Sequence, residues 1–103
     1  YVDVKITSIH GGSPFIAKLN QPIMKVAAKA MSSAFGKETV FMREGGSIPI
    51  VVQFAEKLKA TPILMGLGLD SENLHSPNEH FNLNHFRLGI ISSAYFMNEL
   101  ANL

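Results

Sequence analysis

The apolar segment from Ile63 to Leu69, opened by Pro62, constrains the fold more than any other part of this sequence. It carries no polar side chain, so it lacks the alternation of a strand with one wet face. A short apolar run of this kind predicts a strand whose two faces are both covered, as in the interior of an α/β sheet.

The other hydrophobic patterns alternate between strand type and helix type. Residues 2–6 alternate apolar and polar, which indicates a half-buried strand, and residues 39–42 indicate a short buried strand. Helical spacing predicts helices over 21–35, about 48–58 and 82–101. The order strand, helix, strand, helix, strand, helix predicts an α/β fold in which helices pack against a central sheet.

Individual residues refine these helices. Gly36 stands where a left-handed C-cap would end the first helix. The β-branched run after Pro49 is compatible with a strand, but Ser47 fits an N-cap and a proline is tolerated in a first helical turn, so we favour a helix. The last helix places apolar side chains in one stripe of Phe86, Ile90, Ala94, Met97 and Ala101, widened by Leu83, Ile91 and Leu100.

Composition excludes several classes of function. The 103 residues suffice for one compact domain. The net charge is +1, without a basic or acidic block, which disfavours phosphate-driven nucleic-acid binding. The chain has no cysteine, so disulfides, cysteine zinc sites and thiol catalysis are excluded. No apolar run approaches the roughly 20 residues of a membrane helix, and the first residue is Tyr1, which suggests a processed chain or a piece of a longer one.

The first candidate site is the loop Glu44, Gly45, Gly46 and Ser47, between a predicted strand and a predicted helix. In open α/β sheets ligands bind at this position. The glycines permit close backbone approach, the helix start favours an anion, and Glu44 could hold an ammonium. Together they would suit a zwitterion such as an amino acid or a peptide. A glycine-rich turn with a serine cap is the structural alternative.

The second candidate site follows the apolar strand and centres on His75. Its acidic neighbours Asp70, Glu72 and Glu79 could join a metal site there. The Ser-Pro pair after His75 favours a rigid loop, from which a neutral imidazole could ligate zinc. A solvated loop histidine and a wet acidic loop are the alternatives. His80 and His85 receive no ligand role, because five residues of helix turn the direction by about 140°.

These elements together resemble a known family. Arg43-Glu44-Gly45-Gly46-Ser47-Ile48-Pro49, an apolar strand, and His75-Ser76-Pro77-Asn78-Glu79 before a terminal helix resemble the co-catalytic metallopeptidases that include carnosine dipeptidase, aminoacylase and acetylornithine deacetylase. His10-Gly11-Gly12-Ser13-Pro14 and Phe35-Gly36 add likeness to the dipeptidase branch. The resemblance covers roughly residues 10–103.

The resemblance implies a dinuclear metal hydrolase, with two zinc ions or with manganese or cobalt, which cleaves peptide or amide bonds of dipeptides or N-acyl amino acids. It implies part of a mixed-sheet, three-layer sandwich. Residues 1–12 would be the closing strand of a lid and dimerisation domain, and residues 13–103 the C-terminal half of the catalytic domain. His75 would bind metal and contact substrate, and Glu44 to Ser47 would bind substrate.

The sequence departs from the family in lacking the His-x-Asp motif and the Glu-Glu pair that hold the other metal ligands and the general base. Because a catalytic metal takes at least three protein ligands, we expect this chain alone to be inactive. Its partners would be the N-terminal half of the enzyme, a small substrate and, for the full-length protein, a second copy, in the cytoplasm. A stand-alone α/β module that binds amino acids without catalysis is the alternative, and an inactive fragment is a third.

Overall fold

The computed structural model describes residues 1–9, 11–44 and 48–103. It contains the helices α1 (Pro22–Phe35), α2 (Ile50–Leu58) and α3 (Leu83–Leu100), with a 3₁₀ turn at Asp70–Glu72 before α3. The chain divides into two compact units. Unit 1 comprises Tyr1–Ala17 and Arg43–Pro62, and unit 2 comprises Lys18–Met42 and Ile63–Leu103.

Helix α1 confirms the predicted helix over 21–35. Pro22 occupies its first turn, where the missing N–H costs no hydrogen bond. Gly36 has a φ of 65° and ends the helix in the left-handed conformation, as expected from the sequence. Its N–H donates to the carbonyl of Ser32 at 2.9 Å, so the cap satisfies one of the last carbonyls of the helix.

The interior of unit 2 lies where α1 packs against α3. Helix α1 contributes the buried side chains of Met24, Ala27 and Ala30, the last fully inaccessible. Helix α3 contributes Gly89 and Ser92, both buried. The Leu67 side chain occupies the space where a Cβ atom of residue 89 would lie. The Ser92 hydroxyl donates to its own helix at Gly89 O (2.8 Å), so no buried polar atom is left unsatisfied there.

The large apolar stripe of α3 does not form this interface. Phe86, Ile90 and Met97 are more than half exposed. The expectation from hydrophobic spacing was that the large side chains would define the packed face. The buried residues of α3 are instead the small residues Gly89 and Ser92, and Gly89 leaves room for the side chain of Leu67.

Helix α2 confirms a helix after Pro49 rather than the alternative strand, although it begins at Ile50, two residues later than predicted. Pro49 is the N-cap, and the N–H of Val51 donates to Ile48 O at 3.0 Å. Val51 is the buried side chain of this helix. The proposed cap Ser47 lies outside the described residues.

The predicted strands over 2–6, 39–42 and 63–69 have no regular secondary structure, and the described ranges contain no β-ladder. A strand forms only when a neighbour exchanges backbone hydrogen bonds with it. The central sheet and the three-layer sandwich therefore stay predictions. None of the helices in the described ranges is long and apolar enough to cross a membrane.

Candidate functional site

The loop that carries His75 is organised around a single buried carboxylate. Glu72 is 1% exposed. Its Oε2 accepts the N–H of Leu69 at 2.9 Å, and its Oε1 accepts the N–H of Asn82 at 2.6 Å. The Glu72 backbone carbonyl accepts the N–H of His80 at 3.1 Å. One residue thus connects the end of the apolar segment with the start of α3.

These contacts keep Glu72 ionised. The N–H groups of Leu69 and then Asn82 lower the pKa of Glu72 below its ordinary value of 4.5, and the nearby His85 and His80 act in the same direction. Burial opposes this shift without cancelling it. Because both oxygens already accept backbone hydrogen bonds, Glu72 serves as a fixed anion within the loop, not as a proton donor at neutral pH.

His75 lies at the exposed part of this loop, in an unusual backbone conformation. Its φ is 60°, and Asn73 and Asn78 on either side have φ values of 55° and 61°. Asparagine and histidine adopt this left-handed region more readily than most residues, but the conformation still carries strain that the surroundings must hold. Ser76 supports the turn, since its N–H and hydroxyl both donate to Asn73 O, at 3.0 and 2.8 Å.

The His75 side chain is exposed, and its imidazole forms no hydrogen bond to any residue that the structure describes, so its ring nitrogens are available to a metal. The other two described histidines are engaged. His80 Nδ1 lies 3.0 Å from Asn78 O. His85 Nδ1 lies 3.0 Å from Leu67 O, and its ring meets Phe35 edge-on at 5.3 Å between centroids.

The acidic residues of the loop divide in the same way. Asp70 and Glu79 are exposed, whereas the Glu72 carboxylate is committed to Leu69 and Asn82. The idea that Glu72 could join a metal site is therefore wrong in this structure. Within the described ranges no three His, Asp or Glu side chains come together as a metal site. His75 can thus supply one ligand, and a metal would need others.

The burial and the two backbone hydrogen bonds of Glu72 are not predicted from the sequence, although the sequence contains one signal for them. Glu72 stands three residues after Leu69, where the apolar segment ends. This is the spacing at which a glutamate reaches back to the backbone N–H of an N-cap residue. The contact with Asn82, ten residues further along, has no such local signature.

The substrate-binding candidates are only partly described. Glu44 is exposed, and Gly45, Gly46, Ser47 and His10 lie outside the described residues. One described residue of each glycine-rich motif meets the other in unit 1: a Cβ atom placed on Gly12 would lie 2.8 Å from Pro49 Cβ and 3.1 Å from Pro49 Cα. The absence of a side chain at Gly12 therefore permits this close approach.

Comparison with known families decides the relationship. The sequence model of the peptidase family M20/M25/M40 matches residues 2–99. The chain belongs to this family. The resemblance noted in the sequence is thereby confirmed.

Individual relatives agree. The chain is 34% identical over 96 residues to the Cys-Gly metallodipeptidase dug1 of Schizosaccharomyces pombe, covering 93% of this chain and 20% of the relative. It is 32% identical to the beta-Ala-His dipeptidase of Homo sapiens, covering 90% and 18%. The solved structure of the di-peptidase Dug1p of Saccharomyces cerevisiae matches with a TM-score of 0.77 at 29% identity, covering 82% of this chain and 18% of that one. The chain thus spans about a fifth of the length of these relatives.

Proposed function

We propose that the chain is the C-terminal part of a metal-dependent dipeptidase and that His75 supplies one of its metal ligands. One observation carries the proposal. The His75 imidazole is exposed, has no hydrogen-bond partner among the described residues, and lies on a loop whose ends are both bonded by the buried Glu72 carboxylate. The chain belongs to a peptidase family, in which such an imidazole would suit a metal ligand. Metallodipeptidases among the relatives support a divalent metal as cofactor. Zinc is the metal we propose, with two ions in the complete site.

The donor chemistry of the described loop fits such a metal. A neutral imidazole is a good zinc ligand. The backbone conformation on either side of His75 would fix the direction from which the imidazole approaches the metal. When bound, the metal would supply an activated water for attack on a carbonyl carbon. The residues of this chain would hold the metal and orient the substrate, and the general base would come from elsewhere in the enzyme.

We further propose that Glu44, Gly45, Gly46 and Ser47 bind the substrate. The Glu44 carboxylate is exposed and could pair with the ammonium of a dipeptide. The close approach of Gly12 to Pro49 supports a shared surface for the two glycine-rich motifs, since each residue belongs to one of them. By the names of the relatives, Cys-Gly and β-Ala-His are the dipeptides to examine first.

The remaining parts of the proposal concern the complete enzyme. The other metal ligands and the general base would lie in its N-terminal half, so the 103 residues alone would be inactive. Residues 1–12 would close a lid domain through which two copies dimerise, and residues 13–103 would complete the catalytic domain. The cytoplasmic location stays a prediction. The alternative of a stand-alone binding module gains no support from relatives that are dipeptidases.

The test is His75→Ala in the full-length protein. We expect its zinc content to fall and kcat/KM for Cys-Gly and β-Ala-His to drop by more than about 100-fold, because even residues that only support a metal ligand typically contribute 10- to 100-fold. Metal content is measured by mass spectrometry, and hydrolysis by release of the free amino acids.

His80→Ala is the matched control, since His80 is an exposed histidine of the same loop whose Nδ1 contacts only the neighbouring Asn78 carbonyl. We expect this variant to keep its zinc and its activity. Unchanged zinc content and hydrolysis in His75→Ala would contradict the proposal. Equal losses in both variants would show that the loop matters but that His75 has no special role.

A further inference from the structure

We propose that Glu72 is a positioning residue: its buried carboxylate holds the His75 loop in the conformation that binds metal. This inference rests on the proposed function of His75 and adds to it a residue that touches neither metal nor substrate. Glu72 is an acidic side chain at 1% exposure, and its charge is compensated by the backbone of its own loop.

The two N–H donors that bind the Glu72 carboxylate lie at opposite ends of the loop. Leu69 ends the apolar segment and Asn82 is the N-cap of α3, so these residues mark the two ends of the loop. The Glu72 carboxylate bonds one end with each oxygen, at 2.9 and 2.6 Å. With the His80 N–H on its own carbonyl, Glu72 fixes the loop at three points.

The backbone between the two ends of the loop is strained, and the Glu72 contacts must hold this strain. Between the two ends, Asn73, His75 and Asn78 all have φ near +60° without being glycine. Such conformations persist only when surrounding contacts determine them. Phe81, near the end of the loop, meets the ring of Phe86 edge-on. Apart from the short-range bonds of Ser76 and His80, the hydrogen bonds that the structure describes within this loop are those of Glu72, so its removal should let His75 relax.

A carboxylate suits this position because each of its two oxygens accepts one N–H group. Two N–H groups point at two oxygens, and a glutamine presents one oxygen and one NH₂. Glu72→Gln therefore sets a donor against a donor at one end of the loop, while size and shape are kept. Glu72→Asp keeps both oxygens but is shorter by a methylene, so it should reach one donor and not both.

The experiment is a zinc competition titration of the metal-free full-length protein against a chromophoric chelator, which requires no catalysis. We expect Glu72→Gln to weaken zinc binding by about 10-fold, the lower end of the range for residues that support metal ligands. Glu72→Asp should recover part of that loss. The kcat/KM for Cys-Gly should fall with the zinc affinity at limiting zinc and recover when zinc is in excess.

Asn82→Ala is the matched control for a merely structural role. It removes the side chain that caps α3 by accepting the His85 N–H at 3.0 Å, yet it keeps the backbone N–H that Glu72 binds. We expect it to lower the Tm and leave zinc affinity unchanged. Equal loss of zinc affinity in Asn82→Ala and Glu72→Gln, at equal loss of Tm, would overturn the positioning role.

Wild-type zinc affinity in a folded Glu72→Gln would also overturn it. If Glu72→Gln fails to fold, Glu72→Asp decides by the same titration, and wild-type affinity there is the contradicting result. His75→Ala, titrated in parallel, separates this inference from the proposed function. Loss of zinc in His75→Ala with none in Glu72→Gln rejects the positioning role alone, whereas no loss in His75→Ala rejects the proposed function itself.

Discussion

The two compact units of this chain are built with very different amounts of interior. Unit 2 buries three side chains of α1 against α3 and encloses the Glu72 carboxylate. Unit 1 has Val51 as its buried apolar side chain among the described residues, while Val2, Val4, Ile6 and Ile9 are each more than three-quarters exposed. Both units are rich in apolar residues, so hydrophobicity alone does not account for the difference.

The difference shows that the amount of buried surface in each unit depends on whether its elements can satisfy their backbone hydrogen bonds without neighbouring strands. Helices satisfy their backbone hydrogen bonds internally, so two packed helices can build an interior by themselves. Alternating apolar segments such as 2–6 need neighbouring strands before either their backbone or their side chains are satisfied. Unit 2 has two packed helices at its centre, whereas unit 1 contains the alternating segment and the single helix α2.

The largest effect should follow from emptying the interior of unit 2. Met24→Ala removes a buried side chain between α1 and α3 and should lower the free energy of unfolding by about 3 kcal/mol. Met97→Ala, on the exposed stripe of α3, is the matched control and should change it by less than about 0.5 kcal/mol. Amide hydrogen exchange of α1 and α3 in the 103-residue chain measures both. Equal effects would show that the interior lies elsewhere.

An intermediate effect is expected in unit 1, where one close contact matters. Gly12→Ala places a methyl group against Pro49 and should destabilise unit 1 by about 2 kcal/mol, since neither partner can move away cheaply. Gly11→Ala is the control, because nothing lies within 4 Å of a Cβ at that position. Hydrogen exchange rates of the α2 amides measure the change in stability. Equal rates in the two variants would show that the contact between Gly12 and Pro49 does not stabilise unit 1.

The smallest effect should come from the pH dependence of unit 2. The pKa of Glu72 is lowered in the folded chain, so its ionised form adds stability above about pH 4.5, and this contribution is lost as pH falls through the folded value. Between pH 7 and pH 3 the wild type should therefore lose more stability than Glu72→Gln in urea unfolding. Parallel curves would show that the carboxylate does not stabilise the loop.

The sequence predicted those elements whose signals are local. The start of α1 at Pro22 and its end at Gly36 could be read from single residues, because capping chemistry acts within one turn. The packed face of α3 could not be read in this way, since the burial of Gly89 depends on Leu67, which lies 22 residues earlier in the sequence. The predicted strand over 63–69 depends on partners outside the segment itself.

In the candidate site, too, features with a local sequence signal were predicted and features that depend on distant contacts were not. His75 was identified from a motif, and its exposure on a loop agrees with the prediction of a loop, although its ligand role stays a proposal. The buried state of Glu72 was not predicted, because it arises from a contact with Asn82 across the whole loop. Acidic residues that look alike in the sequence therefore differ in burial and in hydrogen bonding once the loop is folded.

The most direct measurement is the anomalous scattering of zinc in crystals of the full-length protein grown with the metal. We expect an anomalous peak about 2.0–2.1 Å from a ring nitrogen of His75, the usual zinc–imidazole distance. The Glu72 carboxylate should remain bonded to the N–H groups of Leu69 and Asn82. Zinc bound entirely by other residues, with the His75 ring in solvent, would contradict the proposed role of this chain.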